Sequence, residues 1–195
     1  MFKKATALIV NYSILFTAAA VFFLHKPDSI VVLIISVCLH EISHYLAARL
    51  FGEKITSLHP SMVGFKMQGS HGLCRPHKII PIALAGPLCN LLLMGVFHFF
   101  GQNMYALSNG VMAGLNLLPV LPLDGGQILF ALMNIFTSKK KAIGRIKLIG
   151  KLISFVIIFL GIGILYVTKV NFTLLAVGVF LYYYAENIHI NTFRQ

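Results

Sequence analysis

The run His40-Glu41-Ile42-Ser43-His44 sets two imidazoles four residues apart, with a carboxylate between them. On a helix, positions i and i+4 lie on one face, one turn apart, so both rings can grip a single metal ion. Glu41 then stands beside that ion as a base for a water it holds. The chemistry expected of such a set is hydrolysis. A catalytic zinc takes three protein ligands and keeps one open position. The best third ligand in the chain is Asp124, which lies deep in an apolar segment beside Gly125 and Gly126, two residues that let backbone come close. The alternative for Asp124 is a helix N-cap ahead of Gln127. For the histidines, the alternative is a polar cluster that bonds helices together. By ligand type alone, iron or cobalt would also suit two histidines and an aspartate.

The setting sharpens the signal. From Ser29 to Leu50 the chain reads SIVVLIISVCLHEISHYLAARL, long enough to span a bilayer. Ionisable groups at membrane depth are expensive and mark function by default. The whole chain of 195 residues is 58% hydrophobic and only 11% charged. Soluble domains carry about 25% charged residues, so this composition excludes one. The net charge of +11 comes from sixteen Lys and Arg against five Asp and Glu. Those cations sit between apolar runs, where they read as topology signals and not as a nucleic-acid surface.

Six apolar segments can be drawn: about Ala5–Leu24, Ser29–Leu50, Ile79–Phe100, Met104–Phe136, Leu148–Val167 and Val170–Ala185. The first has no small-x-small cleavage site, so it reads as a retained span and not a signal peptide. The fourth is too long for one simple span and contains NLLPVLPLDGG, whose prolines and glycines cannot continue a regular helix. A helix to about Leu118, an unwound stretch and a second helix from about Gln127 are expected. Unwound backbone at membrane depth must be buried in protein or line a wet cavity. With both termini inside, Lys3, Lys4, Arg49, Lys54, Lys66, Arg75, Lys78, the run Lys139–Lys151 and Arg194 fall on the cytoplasmic side, and Lys26 and Lys169 outside. The site should then open toward the cytoplasm. The basic run is read as a topology anchor that also meets anionic lipid. The loop Gly52–His77 has alternating character around Gly64 and can form a small β-hairpin at the membrane face. Its edge could pair with an extended peptide. The expected fold is therefore all-α: one polytopic membrane domain over residues 1–195, about six transmembrane helices, a broken fourth segment and that hairpin.

HEISH on one span and NLLPVLPLDGG on a later one resemble the two signatures of the site-2 protease family of intramembrane zinc metalloproteases. Ala85-Gly86-Pro87-Leu88-Cys89-Asn90 resembles the small-residue and Asn segment between them, and the likeness covers roughly Leu39–Ile128. Six spans without a PDZ insertion are similar to the small bacterial branch, the stage IV sporulation protein FB type. That branch usually carries a C-terminal CBS domain, and this chain reaches Gln195 without one. The resemblance implies one zinc held by His40, His44 and Asp124, with Glu41 activating water. It also implies a membrane-anchored protein as substrate, such as a membrane-tethered pro-sigma factor, and membrane-bound regulatory proteins as partners. Asn90 is the first candidate to hold an oxyanion or a substrate strand, and Asn116 the second. For either, the alternative is an interhelical hydrogen bond.

His98 lies near the opposite end of its span, and His59, His71 and His77 read as loop residues. Cys38, Cys74 and Cys89 show no metal or disulfide spacing and read as packing residues. A silent zinc-binding scaffold and a metal transporter are the competing readings. A transporter would distribute ligands along a route across the membrane, whereas here the polar residues cluster toward one side.

Overall fold

A computed structural model describes residues 27–53, 55–61, 64–69 and 75–188. The expected first span Ala5–Leu24, and with it His25, Lys26, His71, Cys74 and His189, lies outside the described residues. Six helices and one hairpin follow in order. Helix α1 is Pro27–Leu50, and strands β1 (Ile55–Ser61) and β2 (Gly64–Gly69) come next. They are followed by α2 (Pro76–Phe99), α3 (Asn103–Asn116), α4 (Asp124–Phe136), α5 (Lys139–Thr168) and α6 (Thr173–Glu186). The strands pair antiparallel from Ile55↔Gly69 to Ser61↔Gly64, with an irregularity between Ile55 and Ser57.

Among the described residues, α1, α2 and α5 are long and apolar enough to cross a membrane. The fourth apolar segment is two short helices, α3 of 14 residues and α4 of 13. Each extends roughly 20 Å at ~1.5 Å per residue, short of a ~30 Å hydrocarbon core. Helix α6, at 14 residues, is equally short. The outward faces are apolar: Leu50, Leu92, Phe99, Phe159 and Tyr166 are all strongly exposed. Cys38 belongs to this exposed outer surface, not to the packing its sequence context suggested.

Packing inside relies on small residues. Ala47 and Ala48 of α1 meet Ile82 of α2. A second core joins Leu121, Phe130, Ala142, Ile143, Ile146 and Ala185, so α4, α5 and α6 share one apolar interior. A third joins Val120 and Leu123 to Ile157 and Leu181. Thus the linker between α3 and α4 is pinned by both of the last two clusters. Helices approach closely where no Cβ intervenes, as membrane helices commonly do. A Cβ on Gly161 would lie 2.6 Å from the backbone nitrogen of Leu175, whereas one on Gly163 would meet nothing within 4 Å.

Gly161→Val should therefore force α5 and α6 apart and cost about 1–3 kcal/mol. In detergent it should lower the thermal midpoint, while Gly163→Val leaves it in place. Equal midpoints for the two variants would contradict this packing.

Candidate metal centre

Each element contributes a specific part of the site. His40 and His44 share one face of α1, one turn apart, and both are buried. The His44 Nδ1 lies 2.7 Å from the backbone carbonyl of Ile82 on α2. A carbonyl only accepts, so that ring nitrogen carries the proton and His44 Nε2 is left with its lone pair free to ligate. Asp124 arrives from the other side as the first residue of α4. Its carboxylate Oδ2 lies 3.2 Å from His40 Nε2 and 3.4 Å from His44 Nε2. The two Nε2 atoms are 3.1 Å apart, and the rings meet edge to face at 83°.

Three observations test whether these residues fit a metal ion. The separations of 3.1–3.4 Å match the ~3.3 Å expected between ligands on a tetrahedral zinc with bonds near 2.0–2.1 Å. The buried Asp124 Oδ2 is close to both rings yet in hydrogen-bond geometry with neither. A buried carboxylate oxygen left in that state calls for a cation. Finally, the space in front of the rings exists because residue 86 is glycine. A Cβ there would stand 2.6 Å from His40 Nε2 and closer still to His44 Nε2. Among the described residues, His40, His44 and Asp124 are the one group of three whose donor atoms converge in this way. The donor set of two imidazoles and a carboxylate suits zinc.

The local sequence explains how Asp124 reaches the histidines. Leu117 ends α3, and Val120 and Leu123 close tight backbone turns, with Val120 N–H donating to Leu118 O at 2.7 Å and Leu123 N–H to Val120 O at 2.9 Å. The unwound stretch so satisfies part of its own backbone, as membrane depth demands. It then folds back over the start of α4. A Cβ on Gly126 would fall 2.3 Å from the Val120 carbonyl carbon, and one on Gly125 would collide with the Leu117 carbonyl. The helix begins at Asp124 and not at Gln127. Leu123 holds the cap position, and no side chain makes a capping bond there. Asp124 is thus not the N-cap, and its carboxylate faces the histidines.

The remaining candidates separate. Glu41 follows His40 on α1, is half-buried, and is close enough to His44 to act on it electrostatically. Asn90 on α2 is fully buried, and neither its amide nitrogen nor its oxygen has a partner among the described residues. It lies one turn beyond Gly86, on the helix face that looks at the rings. Asn116 instead donates to Met112 O in its own helix at 3.1 Å. His98 is exposed near the far end of α2, with its Nδ1 3.1 Å from Asn103 Oδ1. His77 sits in the first turn of α2 and His59 on β1, neither in the triad. Sequence reading quoted Gly86 only as part of a small-residue motif. It could not supply the void, or the Ile82 carbonyl that fixes the His44 tautomer, because both depend on how α1 and α2 pack.

The family model described as peptidase family M50 matches residues 95–161, a stretch that includes Asp124 but not the histidine pair. Zinc metalloprotease MJ0392 of Methanocaldococcus jannaschii is 30% identical over 173 residues, covering 80% of this chain and 48% of the relative. The chain thus spans about half the length of that curated relative. The solved structure of the site-2 protease from Methanocaldococcus jannaschii superposes with a TM-score of 0.61 at 26% identity. That superposition covers 89% of this chain and 86% of the other.

Gly86→Ala should displace at least one ring and sharply lower zinc content, measured by elemental analysis of protein purified without chelators. Gly95→Ala, on the same helix where a Cβ meets nothing within 4 Å, should retain it. Full zinc in Gly86→Ala would show that the metal sits elsewhere. Residues 95–161 thus match the model of peptidase family M50, and the buried triad lies in a chain similar to a zinc metalloprotease and to a site-2 protease.

Proposed function

We propose that the chain is a zinc endopeptidase that hydrolyses peptide bonds within or beside transmembrane segments of membrane-anchored proteins. The single observation that carries the reading is the buried convergence of His40, His44 and Asp124, with Glu41 next to His40 on α1. Zinc at this position supplies a Lewis acid that makes water a nucleophile near neutral pH and polarises the scissile carbonyl. The work of the protein is to hold and protonate. The Ile82 carbonyl fixes the His44 tautomer, and Gly86 keeps the approach to the rings open. Glu41 takes the proton of the attacking water and returns it to the departing amine. Asn90, buried and unpartnered, offers its amide to the oxyanion or to the substrate backbone. Asn116 is the weaker candidate, since its amide is already spent within α3.

The substrate class follows from where the site lies. A helical peptide bond keeps its carbonyl in an i to i−4 hydrogen bond, so the segment must unwind before attack. The hairpin β1–β2 offers strand edges on which an extended segment can pair. We assign the side carrying Arg49, Arg75, Lys78 and the run Lys139–Lys151 to the cytoplasm, with the α3–α4 pair as one interrupted crossing. A membrane-tethered pro-sigma factor is one such substrate, with membrane-bound regulators as partners, as in the stage IV sporulation protein FB branch.

Two measurements on the detergent-purified chain test this. Bound zinc should be about one per chain in the unaltered protein and in Glu41→Gln, and lost in Asp124→Ala. Cleavage of a membrane-tethered test substrate should fall in Glu41→Gln by about 10²–10⁴-fold, the usual weight of a general base. Zinc retained together with no cleavage by the unaltered chain, across a panel of tethered substrates, would favour a zinc-binding scaffold. Pairing on the hairpin predicts that proline substitutions along β1, with the fold intact, slow cleavage. Unchanged cleavage would remove the hairpin from substrate binding.

A further inference from the structure

The structure divides the basic run at the start of α5 into two sets. Lys147 and Lys151 turn toward α6, where both pair with Glu186, and Lys147 also donates to the Glu186 backbone carbonyl. Lys140, Lys141 and Arg145 are exposed and form no ion pair among the described residues. At 100° per residue these three cations share an arc with Gly144, Leu148, Leu152, Phe155 and Phe159. All four apolar members of that arc are exposed. Along this arc the unpaired cations end at Arg145, and the residues beyond are apolar apart from Lys151, whose charge is paired with Glu186. Gly144 leaves a gap among the cations, since a Cβ there would meet nothing within 4 Å. The opposite face of the same helix, with Ala142, Ile143, Ile146 and Gly150, is buried.

The geometry points to a binding site for one anionic phospholipid on this stripe. Its phosphate would sit over Gly144 between Lys140, Lys141 and Arg145, and an acyl chain would lie along Leu148 to Phe159. Two features select a lipid over a soluble anion or an acidic peptide. The unpaired cations adjoin an exposed apolar stripe. The apolar part, eleven residues of rise, measures roughly 16 Å, about one leaflet of a ~30 Å core. Glu186 strengthens the division by neutralising the two lysines that would otherwise widen the patch. None of these residues is a metal ligand, and the inference does not depend on peptidase activity.

The test is native mass spectrometry of the full chain in detergent, titrated in parallel with dioleoylphosphatidylglycerol and dioleoylphosphatidylcholine. One phosphatidylglycerol should be retained, with a preference of at least about tenfold over phosphatidylcholine, as expected from three cations near one anionic headgroup. The triple variant Lys140→Gln, Lys141→Gln, Arg145→Gln should lose that preference and keep its zinc. Lys169→Gln, at the other end of α5, should keep both. Equal retention of the two lipids, or an undiminished preference in the triple variant, would overturn the assignment. Displacement of the lipid by inorganic phosphate at comparable concentration would also overturn it, because the site would then read only a soluble anion.

Discussion

The described helices converge on three buried polar groups. Two imidazole nitrogens and a carboxylate oxygen are brought to 3.1–3.4 Å of one another in a buried position. Lone pairs facing each other away from water are repulsive, and a buried charge is tolerated only when it is paired or bound to metal. The surrounding residues set that arrangement. The Ile82 carbonyl fixes one ring, and Gly86 leaves the space that the rings face. The linker before α4 delivers the carboxylate.

The site lies at the junction of two packing units. The histidines ride on α1, which is locked to α2 through Ala47, Ala48 and Ile82. The aspartate starts α4, and the residues just before it are set into the interior shared with α5 and α6. Val120, Leu121 and Leu123 are buried there, so the unwound stretch is held by hydrophobic contacts although it lacks regular helical bonds. The relative placement of the two units fixes the distance between ring nitrogens and carboxylate. Helices α5 and α6 contribute no ligand, yet they hold the segment that delivers one.

The bilayer sets the remaining terms. With hydrocarbon outside, exposed leucine and phenylalanine need no cover, and helices gain by close approach of small residues. Glycine and alanine accordingly occupy the contacts, and large apolar side chains face outward. Broken backbone is the costly feature in such a setting, because every unbonded peptide group loses water without replacement. The turns at Val120 and Leu123 meet part of that demand, and burial against α5 and α6 keeps lipid away.

The chemistry was legible in the chain because its signals are local. Two histidines at i and i+4 must share a helix face, and an apolar run containing a carboxylate and two imidazoles is too expensive to be incidental. Pro119, Pro122, Gly125 and Gly126 announce a break wherever the chain runs, since they act on their own backbone. Three local readings shifted in the structure: α4 starts at Asp124 instead of Gln127, the sixth apolar segment forms a helix shorter than a span, and Cys38 is exposed instead of packed. Helix ends and lengths answer to packing, and packing is not local. For the same reason only the tertiary structure could assign the glycines. Gly86, Gly125 and Gly126 look alike in sequence, yet the first opens space for the rings and the others admit a backbone that folds back. The partner of His44 Nδ1, the isolation of Asn90 and the division of the basic run by Glu186 are contacts between segments far apart in the chain. Sequence fixes which groups can do chemistry, through their type and spacing. Their distances, and the atoms left without partners, are set by how the helices meet.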